Sequence, residues 1–368
     1  MKKVLFIDRD NTIIVEPRDN YQVDSFTKLE FVPGVITALA SIAKQLPYEL
    51  VMVTNQDGLG TASLPEAAFF PPHELMLKTL AGEGIKFSEV LIDRSFPHEN
   101  SLSRKPRTGL IDHYRREGID LQGSFVIGDR QTDVELALNM GTQSIQLVAS
   151  PQAGADTRAT YTCASWQEIV QLLRSHERRS HVVRTTRETS VEVKLSLDGS
   201  GTSNIQTGLG FLDHMLDQIG RHAGFDLTVI AKGDLHVDQH HTIEDTALAL
   251  GEAIRKALNN MQGVERFASL LPMDEALAQI ALDLSGRPYL VWDVELRRES
   301  VGDVPCEMFE HFFRSLVDQL RCTLNIKARG GNDHHVLESV FKGFARTLRQ
   351  ALKRDYDSTG LPSTKGVL

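Results

Sequence analysis

Short apolar runs that end in polar clusters dominate the first half of the chain. Strand-like runs alternate there with helical stretches, and the connections between them are short. The predicted strands are residues 4–7, 50–53, 90–92 and 125–127, and the predicted helices are residues 35–45, 72–81, 110–117 and 132–140. This alternation is typical of a parallel sheet covered by helices on both faces. Ligands of such sheets bind beyond the carboxyl ends of the strands.

Polar clusters follow three of these strands, at residues 8–12, 54–56 and 128–133. Any one of them is compatible with a mere turn or helix cap. Asp8 and Asp10 lie two apart in one strand-exit loop, however, so both carboxylates can approach one site, and Asp129 and Asp133 bring more negative charge from another strand. Clustered carboxylates repel one another unless a cation joins them, and oxygen ligands suit magnesium. The three clusters together therefore predict a metal-assisted site.

These clusters, together with Lys105, resemble the signature of the haloacid-dehalogenase superfamily of phosphohydrolases. The resemblance implies that Asp8 attacks phosphorus to form an aspartyl-phosphate and that Asp10 acts as acid and then as base. It implies that Thr54, Asn55 and Lys105 hold the transferring phosphoryl oxygens, because an attack on a dianion needs compensating charge. The implied magnesium ligands are Asp8, Asp10 and Asp129. The short spacing between these motifs leaves no room for a large cap domain.

Within the superfamily, this half is most similar to histidinol-phosphate phosphatases, with two departures. Asn11 stands where the family usually has glycine, and asparagine tolerates a left-handed backbone. A zinc loop of the form Cys-x-His then Cys-x-Cys is replaced here by residues 93–95 and 101–103, which contain no cysteine. We expect no zinc in this loop, because Asp93 and serine hydroxyls are poor tetrahedral zinc ligands. Packing of Phe96 and Pro97 is one way in which the loop could be held.

The second half contains an internal repeat. His240-His241-x-x-Glu244 returns 94 positions later as His334-His335-x-x-Glu338. Further matched pairs are His214 with His311, Glu188 with Glu275, and the amphipathic stretches 246–258 with 340–352. The offsets differ by a few residues, as expected where loops differ in length. The half therefore consists of two copies of one unit.

The duplicated histidine clusters predict metal sites. A lone histidine on a helix is more often hydrogen-bonded than ligating, but two His-His-x-x-Glu clusters favour ligation. Residues four apart share one helix face, whereas adjacent histidines point about 100° apart, so one ion should not take both members of a pair. We expect two ions with four protein ligands each: His214, His240, His241, Glu244, His311, His334, His335 and Glu338. Imidazole with carboxylate favours manganese or iron, although affinity alone does not exclude zinc.

The motifs at residues 210–216, 238–245, 309–312, 332–335 and 362–366 resemble imidazoleglycerol-phosphate dehydratases, over about residues 181–368. The resemblance implies two manganese ions per site, at interfaces within a homo-oligomer of 24 subunits. Metal charge there can acidify the imidazole of the substrate. Glu188 is the implied acid or base, ahead of His222 and Glu338, although a surface glutamate opening a strand is its alternative. The implied substrate-binding residues are Arg266, Arg287, Lys342, Ser363 and Lys365.

Composition limits the classes of binding partner and the cellular location that we expect for this protein. The 368 residues include 40 Lys and Arg against 49 Asp and Glu, a net charge of −9, which disfavours a nucleic-acid partner. Three scattered cysteines predict neither disulfides nor a thiolate metal site, as in a reducing cytoplasm. The first apolar run is too short for a signal peptide, and no run reaches the length of a membrane span. We expect a soluble cytoplasmic protein that acts on small phosphate esters and has no membrane partner.

The predicted architecture has two domains. An α/β Rossmann-like parallel-sheet phosphatase domain spans residues 1–178, and an α+β domain of two duplicated βαβ-like repeats spans residues 179–368. The repeats are placed at about 184–262 and 271–354, after an arginine-rich stretch near residue 180.

Together the two resemblances imply a bifunctional enzyme of histidine biosynthesis, a hydrolase and a lyase. It would hydrolyse histidinol phosphate to histidinol and dehydrate imidazoleglycerol phosphate to imidazoleacetol phosphate. Two alternatives stay open. The first half could act on another small phosphate ester, such as a sugar bisphosphate, or the second half could be a metal-binding assembly scaffold rather than an enzyme.

Overall fold

A computed structural model describes residues 1–116, 118–148, 155–258, 263–356 and 361–363. The chain forms two compact units, Met1–Arg174 and Ser175–Leu368. In the sequence, the first unit ends four residues before the predicted domain boundary at residue 178. No helix among the described residues is long and apolar enough to cross a membrane.

The first unit is built on one parallel sheet of six strands. Its strands and helices are β1 (Lys3–Ile7), α1 (Val35–Gln45), β2 (Tyr48–Asn55), α2 (Glu66–Gly82), β3 (Glu89–Asp93), β4 (Phe125–Gly128), α3 (Gln131–Met140), β5 (Gln143–Leu147), β6 (Tyr161–Cys163) and α4 (Trp166–His176). The strand order is β3-β2-β1-β4-β5-β6, and every pairing is parallel. The predicted parallel sheet is therefore confirmed.

Successive residues of the central strands face opposite sides of this sheet, and both sides are buried. Leu5 and Ile7 of β1 pack with α1, α2 and α4. Val4 and Phe6 pack on the other side with α3. Burial on both faces explains why the strands are continuous apolar runs rather than alternating ones.

One predicted helix of the first unit is wrong. The sequence pattern predicts a helix over residues 110–117, but the structure has only a short 3-10 turn, Asp112–Arg115, and residue 117 lies outside the described part of the chain. The buried side chains of this segment are Ile111 and Tyr114, three residues apart. A single 3-10 turn places such a pair on one side, so packing does not demand a longer helix. The helix predicted at 72–81 begins earlier, at Glu66.

The second unit contains the predicted repeat as two four-stranded sheets. The first copy comprises β7 (Arg179–Thr185), β8 (Thr189–Ser196), β9 (Ser203–Gln206), α5 (Gly210–Ala223), β10 (Asp226–Gly233) and α6 (His240–Leu258). The second comprises β11 (Phe267–Met273), β12 (Ala276–Asp283), β13 (Tyr289–Val294), β14 (Ser300–Val301), β15 (Val304–Pro305), α7 (Glu307–Leu320), β16 (Thr323–Arg329) and α8 (Asp333–Ala351).

The two sheets have equivalent orders, β7-β8-β10-β9 and β11-β12-β16-β13. In each, an antiparallel hairpin precedes a parallel βαβ unit, which is β9-α5-β10 in the first copy and β13-α7-β16 in the second. Among the described residues, the short hairpin β14-β15 occurs only in the second copy of the repeat. This insertion lies between β13 and α7 and is one source of the drift in offset along the repeat. The predicted fold class is confirmed.

Helices from the two copies pack against each other across the repeat. Helix α6 contacts α7, and α5 contacts α8. At Gly251 of α6, an added Cβ would lie only 2.5 Å from the backbone oxygen of Leu316 in α7. Glycine is therefore required there, because the two helix backbones approach too closely for any side chain. This cross-packing determines which histidines meet.

Candidate active sites

The carboxyl ends of β1, β2 and β4 carry the first candidate site. These strands are neighbours in the sheet, so the loops that follow them lie side by side. Asp8 and Asp10 follow β1. The next residue, Asn11, has a φ of 51°, in the left-handed region that asparagine was expected to tolerate. Asp129 and Asp133 follow β4. The strand order thus brings together side chains that are far apart in the sequence.

Lys105 is the cation at the centre of this site. Its side chain is buried, and Nζ donates to Asp8 Oδ1 at 2.6 Å and to Asp133 Oδ1 at 2.7 Å. Burial lowers the pKa of Lys105, but the two carboxylates outweigh it and raise the pKa above its usual value. Burial raises the pKa of Asp8 to about 7, against the lowering effect of Lys105. The Asp8 carboxylate consequently depends on nearby positive charge to remain ionised.

Two of the three residues predicted to hold phosphoryl oxygens, Thr54 and Asn55, have other contacts in this structure. Asn55 accepts from the backbone N–H of Lys105 at 3.1 Å and donates to its carbonyl at 3.2 Å, so it fixes the Lys105 backbone. Thr54 Oγ1 lies 3.4 Å from Asp10 Oδ2 and accepts from Gln56 Nε2 at 2.8 Å. Both residues border the site and position its charged members.

Three carboxylates of the first site could hold a cation. Asp8, Asp129 and Asp133 each offer an oxygen, and these oxygens lie within 4.8 Å of one another. Asp129 Oδ1 is buried and has no hydrogen-bond partner among the described residues. Burial, followed by the nearby charge of Asp133, raises the pKa of Asp129 to about 6. A buried, unpartnered carboxylate oxygen in an acidic cluster fits a hard divalent cation. Asp10, predicted as a ligand, is not part of this group; its carboxylate accepts from Arg9 Nη2 at 2.7 Å and from Gln56 Nε2 at 2.6 Å.

The loop expected to lack zinc is held by a serine network around Asp93. This carboxylate is buried, and it accepts from the Ser95 backbone at 3.0 Å, from Ser95 Oγ at 2.5 Å and from Ser103 Oγ. Ser101 Oγ lies 2.6 Å from Ser103 Oγ. The Phe96 ring also packs against Gly58, where an added Cβ would meet it at 2.5 Å. Hydrogen bonds and aromatic packing thus hold the loop that precedes Lys105.

The described residues of the second unit include three groups of metal-type ligands, two of which lie at the beginnings of its helices. The first group is His214, His334 and Glu338, and the second is His240, Glu244 and His311; a third, more exposed group is Asp274, Glu275 and His335. Each of the first two groups combines a histidine from one copy of the repeat with a His-x-x-x-Glu pair from the other. Asp238 and Asn332 accept from the N–H of His240 and His334 at 2.8 and 3.0 Å, which begins each helix at its ligand pair.

Within each of the first two groups the side chains converge without hydrogen bonding. Glu244 Oε2 lies 3.6 Å from His240 Nε2 and 3.5 Å from His311 Nε2. Glu338 oxygens lie 3.9 Å from His214 Nε2 and 3.7 Å from His334 Nε2. These separations exceed ordinary hydrogen-bond lengths. His311 Nε2 is buried, and the described part of the chain offers it no hydrogen-bond partner. An unpartnered imidazole nitrogen facing a carboxylate fits a bound transition metal.

His241 and His335 lie outside the first two groups. His241 Nδ1 is 3.1 Å from Asp234 Oδ2, and His335 Nδ1 is 3.0 Å from Glu275 Oε2. These hydrogen bonds raise the pKa of each histidine. A carboxylate on Nδ1 is the usual support of a histidine that binds metal through Nε2. Adjacent histidines therefore face different directions, as the helical spacing predicts.

Comparisons with known proteins give family matches in both units. Residues 207–348 match the family model of imidazoleglycerol-phosphate dehydratase, and residues 102–169 match a HAD-hydrolase-like model. The chain is 55% identical over 372 residues to the histidine biosynthesis bifunctional protein HisB of Bacteroides fragilis, covering 100% of both chains. It is 49% identical to the protein of the same name from Stenotrophomonas maltophilia, again over the full length of both.

The chain belongs to the HisB family. It is accordingly a bifunctional enzyme of histidine biosynthesis, with a phosphatase and a dehydratase activity, and enzymes of both kinds depend on metal ions. Among solved structures, imidazoleglycerol-phosphate dehydratase from Staphylococcus aureus is 37% identical, with a TM-score of 0.44, and covers 48% of this chain and 99% of its own.

The remaining dehydratase residues predicted for this HisB family member are spread over its second unit. Glu188 is exposed in the turn between β7 and β8, and its charge contributes to the raised pKa of His241. Lys342 Nζ lies 2.7 Å from Glu338 Oε1, beside the first ligand group. His222, the less favoured acid or base, has a pKa lowered by burial and then by the charge of Lys342.

The predicted phosphate-binding residues are only partly assembled. Arg266 forms an ion pair with Asp283 at 2.5 Å and donates to the carbonyl of Pro362 at 2.6 Å, which places it next to Ser363. Arg287 is exposed in the loop before β13. Lys365 lies outside the described residues.

Two residues that support these sites were not among the predicted ones. Asp234 supports His241, and Asp303, in the turn of the inserted hairpin, caps the start of α5 by accepting from two backbone N–H groups. Neither carried a sequence signal, because single aspartates in turns are common. Asp133, which the sequence places in the charged cluster after β4, joins the acidic group of the first site.

Proposed function

We propose that the first unit hydrolyses histidinol phosphate and that the second dehydrates imidazoleglycerol phosphate to imidazoleacetol phosphate. The two groups of two histidines and one glutamate are the strongest support for the proposal. Metal ions held by such groups would suit the imidazole ring of imidazoleglycerol phosphate. Both substrates carry an imidazole and a terminal phosphate. We assign the phosphatase domain to residues 1–178 and the dehydratase domain to residues 179–368, with repeats at about 184–262 and 271–354.

In the phosphatase, Asp8 attacks phosphorus and becomes an aspartyl-phosphate. Asp10 donates a proton to the departing alkoxide and later takes one from the water that releases phosphate. Lys105, buried against Asp8, offsets the negative charge that develops on the phosphoryl group. A magnesium ion held by Asp8 and Asp129, with Asp10 as the third predicted ligand and Asp133 adjacent, would supply further positive charge.

A cavity of about 360 Å³ beside Asp8 and Lys105 supports a small ester as the substrate. Glu16, Tyr21 and Arg130 also line it. A sugar bisphosphate stays the alternative, because the loop before Lys105 departs from the histidinol-phosphate phosphatase pattern. Turnover of histidinol phosphate compared with that of a heptose bisphosphate distinguishes the two. A higher kcat/KM for the heptose bisphosphate would contradict our assignment.

In the dehydratase, Glu188 is the proposed acid or base that moves the carbon-bound proton. Lys342, Arg266, Arg287, Ser363 and Lys365 are the proposed phosphate-binding residues, since cationic and hydroxyl donors suit a phosphate. Two manganese ions held by the eight predicted ligands would lower the pKa of the substrate imidazole. The charge of Glu188 contributes to the raised pKa of His241, which supports a position of Glu188 near this predicted metal ligand.

We further propose a homo-oligomer of 24 subunits in the cytoplasm, with dimanganese sites at subunit interfaces. Each of the first two ligand groups supplies three residues from one chain, whereas His241 and His335 face elsewhere, each supported by a carboxylate. These two histidines would complete the sites of neighbouring copies. Elemental analysis with the mass of the native particle tests this: about two manganese per chain supports it, and a metal-loaded monomer contradicts it.

The scaffold alternative has its own test. Purified, metal-loaded protein is given imidazoleglycerol phosphate, and ketone formation is followed. Formation of the ketone supports the dehydratase assignment. Binding of the substrate without any ketone would favour the scaffold.

A further inference from the structure

Arg9 lies between the two aspartates of the phosphatase motif, and the mechanism above gives it no part. Its side chain is 2% exposed. The guanidinium turns back onto the neighbouring residue, where Nη2 donates to Asp10 Oδ1 at 2.7 Å and Nε donates to the same oxygen at 3.1 Å. A buried arginine is costly unless it is paired, so this contact accounts for its charge.

Gln56 holds the other side of the same carboxylate. Its Nε2 donates to Asp10 Oδ2 at 2.6 Å, and its Oε1 accepts from Arg9 Nη2 at 3.1 Å. Both oxygens of Asp10 are therefore engaged by one connected pair of side chains. The terminal torsion of an aspartate is broad and intrinsically soft. Donors on both oxygens fix the plane of the Asp10 carboxylate.

Aromatic rings support the arginine from behind. The guanidinium carbon lies 4.8 Å from the centroid of the Phe69 ring, which is fully buried. The Phe69 ring stacks on His73, with centroids 5.0 Å apart and planes 21° from parallel. This cation–π contact leaves the guanidinium little room to move away from Asp10.

We propose that Arg9 is a positioning residue, which acts through Asp10 by holding the acid–base carboxylate in one orientation, with Gln56 as the second arm. The inference rests on the proposed phosphatase function. Core filling alone does not explain Arg9, because apolar side chains of similar volume often replace buried ion pairs without loss of stability. A positioning role gives the buried charge of Arg9 a function beside the acid.

The test compares two substrates that differ in whether the leaving group needs a proton. Histidinol phosphate releases an alkoxide that needs a proton, whereas p-nitrophenyl phosphate releases a phenolate that does not. In Arg9→Met, we expect the first-turnover rate for histidinol phosphate to fall about 100-fold, as for a misplaced general acid, with KM little changed. The first-turnover burst of nitrophenolate should stay close to the wild-type rate. Arg9→Lys, which keeps a cation near Asp10, should recover part of the loss.

A double-mutant cycle shows whether Arg9 acts through Asp10. Adding Arg9→Met to Asp10→Asn should cost nothing further, because the group that Arg9 orients is already lost. His73→Phe, which preserves the ring stack, is the matched control and should keep the ratio of alkyl to aryl rates. The dehydratase rate of the same chain, which belongs to the other unit, reports intact protein.

The outcomes distinguish a failure of the proposed phosphatase function from a failure of the positioning role of Arg9. If Asp10→Asn itself leaves histidinol phosphate turnover intact, the proposed function fails. If Asp10→Asn is impaired but Arg9→Met slows both substrates equally, or if the two losses add, the positioning role is overturned. Should Arg9→Met lose the fold of the first unit, Gln56→Met removes the second arm alone, and the same loss of ratio is expected from it.

Discussion

His73 should make the first unit sensitive to mild acid. Burial, and then the charge of Arg9, lower its pKa from an ordinary 6.5 to about 4, and the side chain is 4% exposed. The folded protein therefore keeps this histidine neutral, whereas the unfolded chain binds a proton below pH 6.5. More protons on the unfolded chain means that stability falls as pH falls through this range, and the loss is complete near pH 4.

The size of the effect follows from the two pKa values. At 1.36 kcal/mol per pKa unit, the full difference is worth about 3 kcal/mol, and about 2 kcal/mol of it should be lost by pH 5. The raised pKa values of Asp8 and Asp129 act in the opposite direction. A comparison of wild type with His73→Phe cancels those contributions and isolates that of His73.

Fluorescence can follow this unit separately. The chain has two tryptophans, and Trp166 belongs to the first unit while Trp292 belongs to the second. Urea unfolding of a Trp292→Phe background, at pH 7.5 and pH 5, reports the free energy of unfolding around Trp166. His73→Phe should lose about 2 kcal/mol less than its parent over this interval. His98→Gln, at an exposed histidine of the same unit, should behave like the parent. Identical pH dependence in the parent and His73→Phe would refute the reasoning.

Three further predictions concern the two sites and the helix packing. Asp8→Asn should abolish phosphate release and leave the dehydratase rate unchanged; a parallel loss of both would contradict separate sites. His240→Ala should lower the manganese content and weaken assembly, measured by elemental analysis and native mass, and an unchanged metal content would count against the ligand assignment. Gly251→Ala should destabilise the second unit by about 1–3 kcal/mol, because the new Cβ would meet a backbone oxygen at 2.5 Å. Trp292 fluorescence in a Trp166→Phe background measures this, and unchanged stability would mean that the helices can separate at no cost.

Much of the first site was predictable because parallel strands end at a common edge. Given the order of the strands in the sheet, the polar residues after β1, β2 and β4 must lie close together. The inward turn of Arg9 was not predictable, since an arginine between two aspartates is equally compatible with a solvated side chain. Its direction depends on Phe69 and Gln56, which other elements supply.

Two features show where local pattern and packing diverge. Residues 110–117 have helical spacing, yet only one turn is needed to bury Ile111 and Tyr114. The side chain of Asp10 is held by Arg9 and Gln56, whereas Asp8, Asp129 and Asp133 form the acidic group. Neither outcome can be read from periodicity, which is blind to partners distant in the chain.

By itself the sequence determined the two-part organisation, the duplicated unit and the types of side chain that carry the chemistry. Spacing along a single helix sufficed to separate His240 from His241, because helical geometry is local. Only the tertiary structure decided that His214 meets His334 and that His311 meets His240. Those encounters depend on α5 packing with α8 and α6 with α7, which burial of apolar faces selects over the whole unit and no local pattern specifies.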